Sequence, residues 1–250
     1  MFGPLNVINV KALVTEIVSN DYRTADVFRK YGIDFCCGGK WPLQMVCENK
    51  GLDTHFIKTE LERAMQVIHI TPLLPFNTWA LDFLADYIVN VHHAYISITL
   101  PGLKEHLDMF VQEHRKKYPN LVELNEHFNR LYGELLSHLK QEEELIFPYI
   151  RKLYRAYYNR ESYAGLLVRT LRKPVEDLMH HGHDNIEKAL HYMRLLTDNY
   201  TPPAQACISH KVAYLRLREL DNDLVQHVHL ENNILFPKAI AIEKELTHKE

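Results

Sequence analysis

Glycine is scarce in this chain, with nine in 250 residues, and alternating Val/Thr-rich runs are few. That combination argues against turn-rich β architectures. Cysteine is scarcer still: four residues, at 36, 37, 47 and 207, cannot make a disulfide framework and suit a reducing compartment. Neither sign of charge dominates, because 29 Lys and Arg face 32 Asp and Glu for a formal net charge of −3. No basic field is available for nucleic acid or anionic lipid. Apolar runs stay well short of the roughly 18 to 20 residues of a membrane span, and MFGPLNVINVKALVTEIV lacks the build of a signal peptide. The expectation is a cytoplasmic protein without a membrane or nucleic-acid partner. Disorder is excluded as well, since 46% of the residues are apolar and only 24% charged.

Long stretches of Leu, Glu, Lys, Arg and Ala fill the chain, and they predict an all-α fold. Turn chemistry clusters at 34–42, 71–77, 116–120 and 197–206. The second cluster, TPLLPFN, reads as a linker, so a small N-terminal helical domain is expected over 1–77 and a larger one over 78–250. Short helices are predicted near 10–19, 22–31, 42–50 and 53–69, with Pro42 at a first helical position and Asp53 as a cap. Four long segments come after them, near 78–116, 119–158, 163–197 and 203–246. Their short connections imply an up-down four-helix bundle. Pro101, Pro148 and Pro237 should bend these helices without ending them.

Sixteen histidines are the anomaly of the composition. Some belong to an internal repeat: HLKQEEELIFP from His138 and HVHLENNILFP from His227 share H-x3-E and a closing F-P. Residues four apart on a helix share a face, so His138 pairs with Glu142 and His227 with Glu231. Both pairs lie on apolar stripes. Leu131, Leu135, His138, Glu142 and Leu145 repeat the offsets of Leu220, Leu224, His227, Glu231 and Ile234. In the third long segment His183 falls on the stripe of Met179, Ile186, Leu190 and Met193, whereas His180 and His181 project with charged residues and read as solvated. In the first, His93 sits on one stripe and His92 borders another, and periodicity does not choose between them.

Structural salt bridges are the plainer account of buried His-Glu pairs, yet such pairs stabilise weakly once desolvation is counted. Metal satisfies all the groups together. Four histidines and two glutamates from four helices suit two ions bridged by carboxylates. Nitrogen and oxygen donors without thiolate favour iron or manganese over zinc, and the glutamate pair suits two Fe ions in an oxo- or hydroxo-bridged di-iron centre. Glu134, one turn before His138, either lines this site or is an ordinary boundary glutamate. The adjacent Cys36 and Cys37 precede the helix begun by Pro42; a strained geometry keeps neighbours from pairing, and they read either as thiols that a helix N-terminus makes reactive or as small buried residues of a tight turn. Cys47 reads as a packed helix residue.

Together with VHHAY at 91–95, the two repeats and the stretch DYRTADVFRKYGIDFCCGGK at 21–40, the chain resembles the RIC family, di-iron proteins for repair of iron centres. The resemblance covers nearly the whole chain. It implies a hemerythrin-like bundle behind a small cysteine-bearing domain, with His93, His138, Glu142, His183, His227 and Glu231 as metal ligands and His92 beside them. It further implies a functional thiol pair in Cys36 and Cys37, which also offers a route to a homodimer. The implied function is repair of iron-sulfur clusters damaged by nitrosative or oxidative stress, by iron donation, with nitric oxide reduction at the same centre also proposed for the family. Damaged iron-sulfur proteins or cluster-assembly proteins are the implied partners, and nitric oxide or oxygen the small ligands. One departure stands out: Gly182 occupies a position where some relatives carry glutamate. The competing class is a hemerythrin-type protein that binds or senses oxygen or nitric oxide.

Overall fold

The computed structural model describes residues 7–21, 23–35, 39–65, 74–171 and 183–248, and Met179, His180, His181, Gly182, Cys36 and Cys37 lie outside them. The described residues are helical apart from turns, loops and one isolated β-bridge between Leu13 and Pro42. None of the described helices is long and apolar enough to cross a membrane. Two compact units are present, one of Met1–Pro72 with Pro202–Leu215 and one of Leu73–Thr201 with Arg216–Glu250.

The smaller unit contains α1 (Val14–Asn20), α2 (Thr24–Lys30), α3 (Leu43–Lys50) and α4 (Thr54–Ala64). Helix α4 starts where the cap predicts, because the Asp53 carboxylate accepts from the His55 and Phe56 amides at 2.8 and 3.3 Å. Pro42 falls one place outside α3, as its cap, and Gly51 closes that helix in the left-handed conformation at φ 66°. Val14, Ile17, Phe28, Leu43, Cys47, Ile57 and Leu61 form the core. Burial raises the Cys47 thiol above its usual range, as expected of an inert packing cysteine.

The loop that returns to α3 is tied to the start of α1. The Val14 and Thr15 amides, which the helix cannot itself satisfy, donate to the carbonyls of Trp41 and Gly39 at 3.1 and 3.0 Å. Gly39 has no room for a side chain: a Cβ there would stand 2.7 Å from Thr15 Cγ2 and 2.8 Å from the Phe35 carbonyl oxygen. Gly39→Ala should therefore destabilise this unit by about 2 kcal/mol, the usual cost of overpacking, read as a lowered Tm in a thermal melt.

Among the described residues, three helices of the larger unit are interrupted by π turns, the last of them belonging to that unit from Arg216 onward. Helix α5 runs over 81–114 with a π turn at Ile88–His93, α6 over 120–158 with one at Glu142–Ile146, and α9 over 208–248 with one at Glu231–Leu235. Between them lie α7 (Ala164–Leu171) and α8 (His183–Leu196). Their apolar faces meet in a core that includes Leu84, Ile88, Ile146, Phe147, Leu153, Leu235 and Phe236. Pro148 and Pro237 each lie two residues beyond a π turn, and both helices continue through them. A proline ring collides with the carbonyl four residues back and leaves it unbonded, so a widened turn at that carbonyl accommodates it.

The π turns alter helix phase. Leu145, expected on the buried stripe, is 62% exposed, and Ile146 takes its place at 3%. Each π turn adds a residue to the repeat and rotates the rest of its helix, which a regular 3.6-residue period does not anticipate.

Candidate metal centre

All three π turns hold centre residues: His93 ends the first, and Glu142 and Glu231 open the other two. Single π turns are common at functional sites because they re-aim side chains without ending the helix. The first turn also explains the ambiguity of VHHAY, since His92 and His93 are both buried. Their rings nevertheless serve different neighbours. His92 Nδ1 lies 2.9 Å from Asp223 Oδ1, and its ring stacks on that of His227 at 5.8 Å. His93 reaches the centre itself.

Six side chains converge there in two groups, His93, Glu142, His227 and Glu231 in one and His138, Glu142, His183 and Glu231 in the other, with candidate ligand atoms within 4.8 Å of one another in each. The histidines face each other in pairs. The Nε2 atoms of His93 and His227 are 3.1 Å apart, as are those of His138 and His183. Each glutamate divides its two oxygens between the pairs. Glu142 Oε2 lies 3.4 Å from His93 Nε2, while its Oε1 lies 3.2 Å from His138 Nε2 and 3.8 Å from His183 Nε2. Glu231 Oε1 lies 3.0 Å from His227 Nε2 and its Oε2 3.2 Å from His183 Nε2.

Taken as side chains alone, this is a concentration of acceptors that demands positive charge. Burial pulls the His183 imidazole down, but hydrogen bonding and charge from Glu142 and Glu231 outweigh it and raise it to about 10. His227 is also raised, against its own burial, by Glu231, whereas burial dominates at His138 and lowers it. Burial works against ionised Glu231, yet His227 and His183 hold its carboxyl well below the usual range. Even so, all four carboxylate oxygens of Glu142 and Glu231 are buried without a hydrogen bond of acceptable geometry among the described residues. Buried carboxylates short of hydrogen bonds are costly, and a cation is the group that would satisfy them. The spacing fits as well, since two nitrogen ligands at right angles, each about 2.1 Å from a common ion, stand roughly 3.0 Å apart.

Outside the cluster, the same repeat organises the backs of the rings. His93 Nδ1 meets Glu143 Oε1 at 2.8 Å, and His183 Nδ1 meets Asn232 Oδ1 at 2.7 Å. Because carboxylate and amide oxygens only accept, each Nδ1 donates and leaves Nε2 as the inward lone pair. Phe147 stacks on His93 at 5.5 Å and Phe236 on His183 at 6.1 Å, which is what the F of each F-P does. Sequence reading missed Glu143, Asn232, Asp223 and the two phenylalanine walls. A signal for four of them existed, since they stand at matching offsets of the two repeats. Glu134 Oε2, one turn before His138, is buried with no hydrogen-bond partner among the described residues.

The comparisons with known proteins agree with this geometry. Residues 84–239 match the hemerythrin HHE cation binding domain, and residues 10–65 match a domain of unknown function, DUF542. A protein named iron-sulfur cluster repair protein YtfE, from Enterobacter sp. (strain 638), is 34% identical over 229 residues, 91% of this chain and 96% of its own. This chain belongs to the RIC family. Its relatives extend to Staphylococcus haemolyticus (strain JCSC1435), whose iron-sulfur cluster repair protein ScdA is 30% identical over 231 residues, 92% of this chain and 99% of that one. A further YtfE, from Escherichia coli O157:H7, is 32% identical over 222 residues, 88% of this chain and 93% of its own. In this RIC protein the two family models together match the N-terminal helices and the cation-binding bundle.

Proposed function

We propose that this protein holds two iron ions in its bundle and gives up iron to rebuild iron-sulfur clusters damaged by nitrosative or oxidative stress. One observation carries the two-ion reading: each buried glutamate directs one oxygen to the His93–His227 pair and the other to the side of His138 and His183. A single ion would leave oxygens of both carboxylates buried and unpaired. In this assignment His93 and His227 would hold one ion and His138 and His183 the other, with Glu142 and Glu231 each offering an oxygen to both. When bound, the iron pair supplies exchangeable metal and one-electron redox chemistry. An all-nitrogen-and-oxygen set binds ferrous iron more weakly than thiolates would, which suits a donor. The names of the relatives support cluster repair as the use of that iron, with damaged iron-sulfur proteins as the partners.

Metal analysis and Mössbauer spectroscopy of anaerobically purified protein test this directly. About two irons per chain, antiferromagnetically coupled after oxidation, is the expected result. A chain that takes up a single zinc, or no iron on careful reconstitution, overturns it. Cys36 and Cys37 belong to the same proposal as thiols of the repair step. Replacing both by alanine should leave the Mössbauer spectrum unchanged and weaken repair of a nitric-oxide-damaged cluster enzyme; loss of the iron signal would make them ligands instead.

A further inference from the structure

We infer that the two ion positions release metal unequally, that the ion held by His138 and His183 leaves first, and that Asn232 sets this difference. The inference rests on the two-iron reading above and concerns what surrounds the ligands. The repeat makes the two halves of the centre counterparts: His93 with His183, Glu142 with Glu231, Phe147 with Phe236. The residue after each bridging glutamate holds the outer histidine of a different half, and there the symmetry fails. Glu143 presents a carboxylate to His93, while Asn232 presents a neutral amide to His183.

That difference reaches the metal through the ring. An Nδ1–H that donates to a carboxylate shifts electron density toward Nε2 and strengthens it as a ligand, and the effect of an amide oxygen is smaller. His93 is thus the stronger donor of the two. Solvent access points the same way. His93 and His227 are 1% and 0% exposed at their side chains, whereas His138 and His183 are 12% and 5% exposed. A groove of about 560 Å³ within the larger unit is lined by Asn232 together with Ile186, Leu190, Val228 and the exposed His191 and His229. An acceptor seated there stands against the amide that holds His183. The weaker ligand set, the more open pair and the groove coincide on one side.

The test is iron release from anaerobically loaded ferrous protein into excess ferrozine. Wild type should release one iron per chain in a fast phase and one in a slow phase. Asn232→Asp should slow the fast phase about tenfold or more and leave the slow one unchanged, and Glu143→Gln should quicken the slow phase alone, since outer hydrogen bonds of this kind typically change metal affinity 10- to 100-fold. Protein loaded with one equivalent of ⁵⁷Fe should show a single Mössbauer doublet, a readout independent of release. Release of both irons in one phase, or a fast phase indifferent to Asn232→Asp, overturns the inference while leaving two-iron binding intact. A chain that binds fewer than two irons instead defeats the reading beneath it. Asn232 is half-buried and Glu143 exposed, and unchanged helical content by circular dichroism confirms that release reports on the centre.

Discussion

Glu142→Ala is expected to reduce bound iron from about two per chain to well under one and to abolish cluster repair with it. Among the described residues, the Glu142 carboxylate pairs with His93, His138 and His183 together, at 3.4, 3.2 and 3.8 Å. In the proposed two-ion assignment its removal would deprive both positions of an anionic ligand at once, whereas loss of a single histidine would weaken only one. The metal-free protein should respond quite differently. In that state the desolvation of the buried carboxylate offsets most of what its ion pairs with His138 and His183 return, and on its removal those imidazoles can shed their protons and remain buried as neutral rings. Metal-free Glu142→Ala should accordingly melt within a few degrees of metal-free wild type. Were the cluster instead a purely structural network, breaking it would cost about 3 to 5 kcal/mol with or without iron. Elemental analysis paired with thermal melts separates the cases, and normal iron occupancy in the variant would sink the bridging assignment.

Phe147→Ala should produce the largest loss of stability among single changes near the centre. Its ring is fully buried, belongs to the core of the larger unit and stacks on His93 with planes inclined by 24°. Truncating a buried phenylalanine costs about 3 to 5 kcal/mol through lost transfer energy and the cavity left behind. In a unit of this size that corresponds to a Tm lower by about 10 °C. The His93 ring also loses the wall that holds its plane, so bound iron should become easier to extract by chelators even at temperatures where the variant is folded. Phe236→Ala should act in the same sense through His183, with its ring at 6.1 Å. A Phe147→Leu variant, which refills most of the volume, should recover stability more than it recovers the ring's orientation.

Much of the architecture was legible in the sequence because helical periodicity is local information. The offsets around His138–Glu142 and His227–Glu231 record where each side chain lies on its own helix, and Glu142, His227 and Glu231 are indeed among the most buried residues of the chain. Asp53 carries its capping chemistry in its own side chain, so the start of α4 could be read directly. The stripe at Leu145 could not be, because a π turn changes the period within the helix that defines it. Nor could Gly39 be explained from the motif it belongs to, since the atoms that exclude a side chain there come from Thr15 and Phe35.

By itself the sequence determined that the protein is helical, that two repeats carry matched His-Glu pairs, and that these pairs lie on apolar faces. Periodicity left His92 and His93 open and only the resemblance named His93; the tertiary structure alone decided that His93 Nε2 faces His227 Nε2 while His92 turns to Asp223, how each carboxylate divides its oxygens, and that Glu143 and Asn232 stand behind counterpart rings. The physical reason is dimensional. Periodicity specifies an angle about one helix axis, whereas a contact across helices also depends on the rotation, spacing and stagger of the neighbour, which are set by packing of the whole core.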